Sequence, residues 1–320
     1  MPELCRMILD VDTGVDDAMA ILYALNRPGI KLEALTTTFG NTDIDKATAN
    51  TLRILELAGR SDIPVARGPG RSLLKPFVKG ADHVHGRNGL GDIVLPEPKG
   101  KPVAEAASDL MIRMARENPG EITLCPVGPI TNVAIALAKA PDIAPLFKEV
   151  VIMGGTIHHP GIHGIPTPIA DANFWNDPEA AQIVMRSGAK ITLVGMDVTM
   201  KVLLTRKMRQ EIAAGGRIGK TMMDIADFYV RAYESMHPGM DGCGLHDPLA
   251  VAIAEDKRLA TIERMCVDIE LNGALTRGAI VADRRRNVAP ERLNADVCVD
   301  VDAERFSTMF VETMRGVGAR

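Results

Sequence analysis

Apolar and polar positions follow one another along the chain in repeated units of strand, turn and helix. Residues 4–9 form a short apolar run that predicts a buried parallel strand, and apolar residues at helical spacing after Asp17 predict a helix through Leu25. The same pattern predicts strands at 32–39, 64–66, 122–127, 150–153 and 190–194, and helices at 43–57, 103–117, from 131 and at 178–187. These repeats predict an α/β protein with a mostly parallel, Rossmann-like central sheet flanked by helices.

The last third of the chain is less regular. Its pattern predicts helices over 206–236, broken near 215–216, and over 245–254, then strands at 266–271, 279–282 and 297–301 and a helix from 303. Two segments rich in glycine, 68–102 and 237–244, lack periodicity, and loops of such length in a domain are usually functional. Because no linker is visible, residues 1–320 are predicted to form a single domain.

Composition excludes several classes of function. With 46% hydrophobic and 24% charged residues the chain can bury a large core. A net charge of −4, no long basic run, and only one Trp, three Tyr and seven Phe argue against nucleic-acid binding. Five scattered cysteines lack the spacing of a zinc site or disulfide framework, and no apolar run reaches ~18 residues. We therefore expect a cytoplasmic protein with reduced thiols and no membrane partner.

Four carboxylates, those of Asp10, Asp12, Asp16 and Asp17, fall within eight residues at the end of the first predicted strand. Helix capping, worth ~1 kcal/mol each, explains Asp16 and Asp17 but not all four. Four neighbouring anions repel and raise one another's pKa unless a cation compensates. A hard divalent cation bound by carboxylate oxygens is the simplest compensation, so the sequence predicts a metal site. Open α/β sheets bind their ligands at this carboxyl edge.

Other polar residues follow later predicted strands. Asn41, Val127 and Met153 come at strand ends, and His246-Asp247 opens a helix. If these ends lie on one edge of the sheet, the residues can converge on the acidic cluster. Spacing alone leaves this convergence open.

Motifs spread over nearly the whole chain resemble those of the inosine-uridine preferring nucleoside hydrolases. They are Asp-Val-Asp-Thr-Gly-Val-Asp-Asp at 10–17, Gly-Asn at 40–41, His-Gly at 85–86, Met-Gly-Gly at 153–155, Ala-Asn-Phe-Trp-Asn-Asp-Pro-Glu-Ala-Ala at 172–181 and His-Asp-Pro at 246–248. The resemblance implies the nucleoside hydrolase fold and a Ca²⁺-dependent enzyme that cleaves small ribonucleosides into ribose and a free purine or pyrimidine base. It also implies a homodimer or homotetramer.

The resemblance further implies roles for particular residues. Ca²⁺ would be held by Asp12, Asp17, Asp247 and the backbone carbonyl of Val127, with Asp10 supporting them from behind. Asp12 would also activate a calcium-bound water, and Asp16, Asn41, Asp171 and Asn173 would contact the ribose. Asp171 departs from the family pattern, in which a longer glutamate is usual, and Val127 stands where many relatives have threonine.

The chemistry suits these residue types. Breaking an N-glycosidic bond develops oxocarbenium character on the ribose, which carboxylates stabilise, and the leaving base departs more easily when it is protonated. His246, next to Asp247, is the candidate acid. His85, Met153 and His237 are candidate substrate contacts. Tyr229 and Tyr233, four residues apart, could line the base pocket, although core packing explains them equally well.

Two other functions remain open from the sequence. Asp10-Val11-Asp12 after a strand is also typical of haloacid dehalogenase-type phosphatases, but Gly14 stands where that family has Thr or Val, and Asp16, Asp17 and His246-Asp247 would have no role. A calcium-dependent nucleoside or ribose binding protein without turnover is the non-enzymatic alternative. The complete set of proposed ligands and base favours the enzyme.

Overall fold

A central sheet organises the structure, a computed structural model that describes residues 4–157, 163–165 and 167–317. The strands found there are β1 (Cys5–Val11), β2 (Ile30–Thr37), β3 (Val65–Arg67), β4 (Ile122–Pro126), β5 (Glu149–Met153), β6 (Ile191–Val194), β7 (Leu203–Leu204), β8 (Cys243–Gly244), β9 (Ala260–Ile269), β10 (Ile280–Asp283) and β11 (Ala295–Val301). Nine of them form one sheet in the order β10-β9-β11-β6-β5-β4-β1-β2-β3, and β7 pairs with β8 separately.

Helices cover both faces of this sheet. They are α1 (Val15–Asn26), α2 (Ile44–Leu57), α3 (Asp82–His85), α4 (Ala107–Glu117), α5 (Thr131–Lys139), α6 (Ala172–Asn176), α7 (Pro178–Met185), α8 (Met196–Thr199), α9 (Arg206–Ala213), α10 (Arg217–Met236), α11 (His246–Glu255) and α12 (Ala303–Arg315). Short 3-10 turns lie at Pro141–Leu146, Lys257–Leu259 and Pro290–Arg292. No helix in the described ranges combines the length and apolar character needed to cross a bilayer.

The expected fold class, a single α/β domain with a mostly parallel sheet, is confirmed. From β3 to β11 neighbouring strands run parallel, and only β9 and β10 add antiparallel pairs at the far edge. Buried strand side chains alternate between faces, so Met7, Leu9 and Val11 of β1 join one core cluster and Ile8 joins the other. The extent of the domain, residues 1–320, stays a prediction.

Several predicted boundaries were wrong for local reasons. The helix predicted from 103 begins at Ala107, because Val103 instead bridges Ala66 at the sheet edge. β9 begins at Ala260, six residues early, because it pairs with the full length of β11. The short helices α3, α6 and α8 were not anticipated, since four or five residues are too few to show helical periodicity.

A stability prediction follows from the packing of the last helix. Phe310 of α12 is fully buried, and its ring stacks on Tyr23 of α1 with centroids 5.8 Å apart. Phe310→Ala removes this contact and leaves a cavity, so we expect the free energy of unfolding to fall by about 3–5 kcal/mol in urea denaturation. Val94→Ala, at a site 89% exposed, is the control and should change it by less than about 0.5 kcal/mol. Equal effects of the two substitutions would contradict this account of the core.

Candidate active site

A cavity at the carboxyl edge of the parallel strands brings together most of the residues predicted from the sequence. Its walls come from the first turn of α1, the segment after β2, the ends of β4 and β5, and helices α3, α6, α8, α10 and α11. The lining residues are Asp16, Asn41, Ala81, Val84, His85, Val127, Met153, Ile165, Asp171, Ala172, Asn173, Met196, Tyr229, Tyr233, His246 and Asp247. The convergence that spacing left open is therefore present.

Backbone and amide donors fix the acidic turn between β1 and α1. Asp17, in the first turn of α1, accepts the backbone N–H groups of Asp12 at 3.0 Å and Gly14 at 2.8 Å. Asn41 ties this turn to the end of β2, because its side-chain amide donates to Asp17 at 3.0 Å and its backbone N–H donates to Asp12 Oδ2 at 2.6 Å. These bonds hold the carboxylates of Asp12 and Asp17 in fixed positions.

Asp10 lies behind this turn and does not line the cavity. The register of β1 places it beside Thr36 of β2, whose hydroxyl donates to Oδ1 at 2.6 Å, and Asn132 of α5 donates to the same oxygen at 2.7 Å. Its backbone carbonyl accepts the N–H of Val127 at 2.8 Å. Burial raises the pKa of Asp10 to about 7. Asp10 therefore positions β1, β2, α5 and the end of β4 relative to one another.

Burial also raises the pKa of the four carboxylates of the acidic cluster, of which Asp16 and Asp247 line the cavity while Asp12 and Asp17 lie outside its lining. It brings Asp16 and Asp17 to about 6, and the pKa values of Asp12 and Asp247 lie well above their ordinary range. Repulsion adds to desolvation, since Asp17 raises the pKa of Asp12, and Asp16 raises those of Asp17 and Asp247. A bound cation would act in the opposite direction and favour the ionised forms.

The donor set fits a hard divalent cation. Oδ1 of Asp12, Oδ1 of Asp16 and Oδ2 of Asp247 are buried without a hydrogen-bond partner, and carboxylate oxygens are the ligands that Ca²⁺ and Mg²⁺ prefer. Carboxylate oxygens of Asp16, Asp17 and Asp247 lie within 4.8 Å of one another.

This cluster differs in one member from the ligand set expected from the sequence. Asp16 takes the place of Asp12 among the described residues, while Asp17 and Asp247 are common to both sets. Asp12 instead directs Oδ2 to the Asn41 N–H group. The carbonyl of Val127 accepts the side-chain amide of Asn173 at 2.7 Å and keeps a second lone pair.

A chain of hydrogen bonds leads from the acidic cluster along another part of the cavity. His246 lies between the hydroxyl of Thr199, 2.6 Å from Nδ1, and that of Tyr233, 2.7 Å from Nε2. The Tyr229 hydroxyl lies 3.3 Å from that of Tyr233 and 3.2 Å from Asp16 Oδ2. Burial lowers the pKa of His246 to about 4, which favours the neutral imidazole at pH 7. The two tyrosines are thus polar parts of the cavity as well as core residues.

His85 also lines the cavity in a neutral form. The backbone N–H of Val15 donates to its Nδ1 at 3.1 Å, so this nitrogen is an acceptor and the ring proton lies on Nε2. Burial lowers the pKa of His85 to about 4. The 3.8 Å approach of Asp16 to Nδ1 is consequently not an ion pair.

The other predicted contacts divide into two groups. Asp171 caps α6 by accepting hydrogen bonds from the N–H groups of Asn173 and Phe174. Asn173 donates its side-chain amide to the carbonyls of Val127 and Met153. The side chains of Asp171 and Asn173 therefore stabilise the cavity wall and also line it. His237 does not line the cavity. Its ring packs on Tyr233 with centroids 5.9 Å apart.

Sequence reasoning missed α8, which follows β6. Met196 of this helix lines the cavity, Asp197 accepts the backbone N–H of Ile157 at 2.6 Å, and Thr199 holds His246. The strand-end argument that identified Asn41 and Val127 could have found this segment. Ile165, also in the lining, carried no signal because its segment has no periodic pattern. Residues 158–162 and 166 of the same segment lie outside the described residues.

Comparisons with known proteins identify a family for the chain. A family model described as inosine-uridine preferring nucleoside hydrolase matches residues 7–308. The chain is 38% identical to the inosine-uridine preferring nucleoside hydrolase of Leishmania major over 98% of both chains. It is also 38% identical to a pyrimidine-specific ribonucleoside hydrolase of Salmonella arizonae, over 98% of this chain and 99% of that one.

A solved structure is similar over the same extent. The purine-preferring ribonucleoside hydrolase of Gardnerella vaginalis superimposes with a TM-score of 0.92, at 37% identity and with 98% of each chain covered. The names of these relatives describe three different base preferences at almost equal identity. Overall similarity therefore does not decide base preference.

A glycine substitution tests the fixed position of Asp12. Gly40 has φ +154°, and a Cβ there would lie 2.0 Å from Asp12 Oδ2. Gly40→Ala should displace this carboxylate and lower turnover of the preferred substrate by about 100-fold or more, because small misplacements of a reacting group are costly. Gly59→Ala is the matched control. It also has positive φ, +70°, but no heavy atom lies within 4 Å of its Cβ, so only a small loss of stability is expected. Steady-state kinetics and thermal melting of both variants test this, and a fully active Gly40→Ala protein would contradict it.

Proposed function

The chain belongs to the inosine-uridine preferring nucleoside hydrolase family, and we propose the following division of work among its residues. The protein is an N-glycosyl hydrolase that cleaves ribonucleosides into ribose and free base. The observation that carries the assignment to this cavity is the buried carboxylate cluster facing a chain of hydroxyl and imidazole groups. The carboxylate cluster can bind the sugar, and the hydroxyl and imidazole groups can contact the leaving base.

Asp17 and Asp247 are the proposed core of a Ca²⁺ site, completed by Asp12 and the carbonyl of Val127 as the family resemblance implies. The unpartnered oxygens of Asp12 and Asp247 support this set, and the close approach of Asp16 makes it the competing ligand. When bound, a divalent cation here would supply Lewis acidity toward a water and the ribose hydroxyls.

Asp12 is the proposed general base. Its Oδ2 is held by the N–H of Asn41, while its buried Oδ1 is without a partner and free to accept a proton. Oδ1 takes one proton from the water that attacks the anomeric carbon, and the electron pair of the breaking C–N bond departs with the base. Ionised carboxylates around the sugar stabilise the positive charge that develops on it.

Asp16 and the residues around the 2′- and 3′-hydroxyls orient the ribose. Oδ2 of Asp16 is occupied by Tyr229, which leaves Oδ1 for the 2′-hydroxyl. Asn41, Asp171 and Asn173 line the same wall, and each keeps acceptor capacity toward the cavity. Asn41 donates its side-chain amide to Asp17, and the side chains of Asp171 and Asn173 bond to backbone groups. These bonds limit their motion, which favours a fixed sugar position.

The leaving base is served by Tyr233 and His246. With its imidazole neutral, His246 acts through the Tyr233 hydroxyl, which bonds to Nε2 and also lines the cavity. A proton from Tyr233 to a ring nitrogen of the base neutralises the departing electron pair, and His246 stabilises the resulting phenolate by hydrogen bonding. Proton exchange with solvent between turnovers moves the proton from Asp12 back to Tyr233, so the overall reaction consumes one water.

The wider biological setting is also a proposal. The five cysteines are buried free thiols, which supports a cytoplasmic location in nucleoside catabolism and purine or pyrimidine salvage. That the protein forms a homodimer or homotetramer remains a prediction. The match to a nucleoside hydrolase family leaves the phosphatase alternative without support.

The first experiment measures ribose release from inosine, adenosine, guanosine, uridine and cytidine. The wild-type protein should hydrolyse at least one of them, and Asp12→Asn should reduce that rate by about 10³-fold, since an amide cannot accept the proton. Thermal melting controls for folding. Tight binding without ribose release would favour the binding-protein alternative, and a fully active Asp12→Asn protein would remove Asp12 from its role.

Calorimetric titration of the chelator-treated protein with CaCl₂ distinguishes the two ligand sets. We expect one Ca²⁺ site per chain. Asp247→Asn and Asp12→Asn should abolish Ca²⁺ binding or lower its affinity at least about tenfold, because each removes the charge of a ligand. Asp16→Asn should lower the affinity less. Asp45→Asn, on the exposed face of α2, is the control. A larger effect of Asp16→Asn than of Asp12→Asn would assign Asp16 to the metal, and no binding to the wild-type protein would reject Ca²⁺.

A further inference from the structure

Thr199 is a buried residue whose hydroxyl bonds to the imidazole behind the cavity. It lies at the end of α8, is fully buried, and approaches Nδ1 of His246 at 2.6 Å. Four consecutive hydrogen bonds then lead from Thr199 through His246, Tyr233 and Tyr229 to Asp16. Each hydroxyl in this chain has one proton, so the direction of one bond constrains the next.

The Thr199 end of the chain has one direction. Helical threonines commonly donate to the carbonyl four residues earlier, as Thr48, Thr51 and Thr313 do here at 2.7–2.9 Å. The Thr199 hydroxyl makes no such bond, and within the described residues its hydrogen-bond partner is Nδ1 of His246 alone. Leaving a buried hydroxyl proton without an acceptor costs free energy, so this proton points to Nδ1.

The Asp16 end is compatible with this direction. A carboxylate only accepts, so Tyr229 is the donor to Asp16 Oδ2, and Tyr229 is also the donor in its 3.3 Å contact with Tyr233. Because Tyr229 is the donor in both contacts, the proton of Tyr233 is left for the cavity. With Nδ1 occupied by the Thr199 proton, the ring proton of His246 lies on Nε2 and points to the oxygen of Tyr233.

We propose that Thr199 is a positioning residue for leaving-group departure, because its hydroxyl holds His246 as the Nε2–H tautomer that donates to Tyr233. This inference rests on the proposed function and deepens it. In this tautomer the phenol oxygen already accepts a bond, so its own proton is free for the leaving base and the phenolate is stabilised as it forms. In the opposite tautomer Tyr233 would donate its proton to Nε2 and have none for the base.

A contrast between leaving groups tests the proposal. Thr199→Val keeps the shape of the side chain and removes the hydroxyl, whereas Thr199→Ser keeps the hydroxyl. The substrates are the preferred nucleoside and 4-nitrophenyl β-D-ribofuranoside, whose leaving group departs as a stable anion without a proton. We expect Thr199→Val to lower kcat/KM for the nucleoside about 10- to 100-fold and for the nitrophenyl riboside less than about threefold. Thr199→Ser should restore the nucleoside rate to within about threefold of wild type.

Two kinetic outcomes would overturn the proposal. Equal losses on both substrates would mean that Thr199 only supports the structure, and an unchanged nucleoside rate in Thr199→Val would mean that its hydroxyl has no role. A wild-type protein that hydrolyses neither substrate would instead reject the proposed function.

The tautomer itself can be measured without turnover. In protein labelled with ¹⁵N-histidine, the His246 signals are assigned by their loss in His246→Asn. We expect an unprotonated Nδ1 and a protonated Nε2 in wild type and in Thr199→Ser, and a gain of the Nδ1–H form in Thr199→Val. A protonated Nδ1 in the wild-type protein, or an unchanged tautomer in Thr199→Val, would overturn the assignment.

Discussion

Mutual repulsion among buried carboxylates is the constraint around which this structure is arranged. Asp12, Asp16, Asp17 and Asp247 lie almost without solvent contact at the edge of the sheet, and desolvation together with their neighbours raises the pKa of each. Few proteins bury so many neighbouring carboxylates without a bound cation or protons shared between them. The repulsion is confined to this edge of the sheet, and the surrounding residues supply hydrogen-bond donors that hold the carboxylates in place.

Those donors come partly from the acidic turn itself and partly from the segment after the neighbouring strand β2. Backbone N–H groups of the turn donate to Asp17, and Asn41 donates to Asp12 and Asp17. On the other side of β1, the N–H of Val127, which follows β4, donates to the backbone carbonyl of Asp10. A central strand has partners on both sides, so its end can be fixed from two directions. Hydrogen bonds from the turn and from a segment distant in sequence thus stabilise the buried carboxylates.

Two parts of the cavity differ in their chemistry. The carboxylate part, where we propose that the sugar binds, is charged and tied to the sheet. The part that we propose contacts the base consists of uncharged hydroxyl and imidazole groups, His246, Tyr233 and Tyr229, on α10 and α11. Segments beyond the sheet edge carry Val84 and Ile165, which also line the cavity. Such segments vary more freely than strands, which is consistent with relatives of almost equal identity bearing names with different base preferences.

The sequence alone determined the order of the longer strands and helices and the acidic turn, because apolar periodicity and charge density are local properties of the chain. Its resemblance to a known family pointed to most of the cavity residues. It did not reveal that Asp171 is a helix cap, that His237 lies outside the cavity, or that Thr199 bonds to His246. The bond of Thr199 to His246 joins residues 47 positions apart, whereas the cap by Asp171 and the place of His237 depend on side-chain directions at helix ends. Only the tertiary structure fixes such contacts, since a hydrogen bond requires both partners to be placed within about 3 Å.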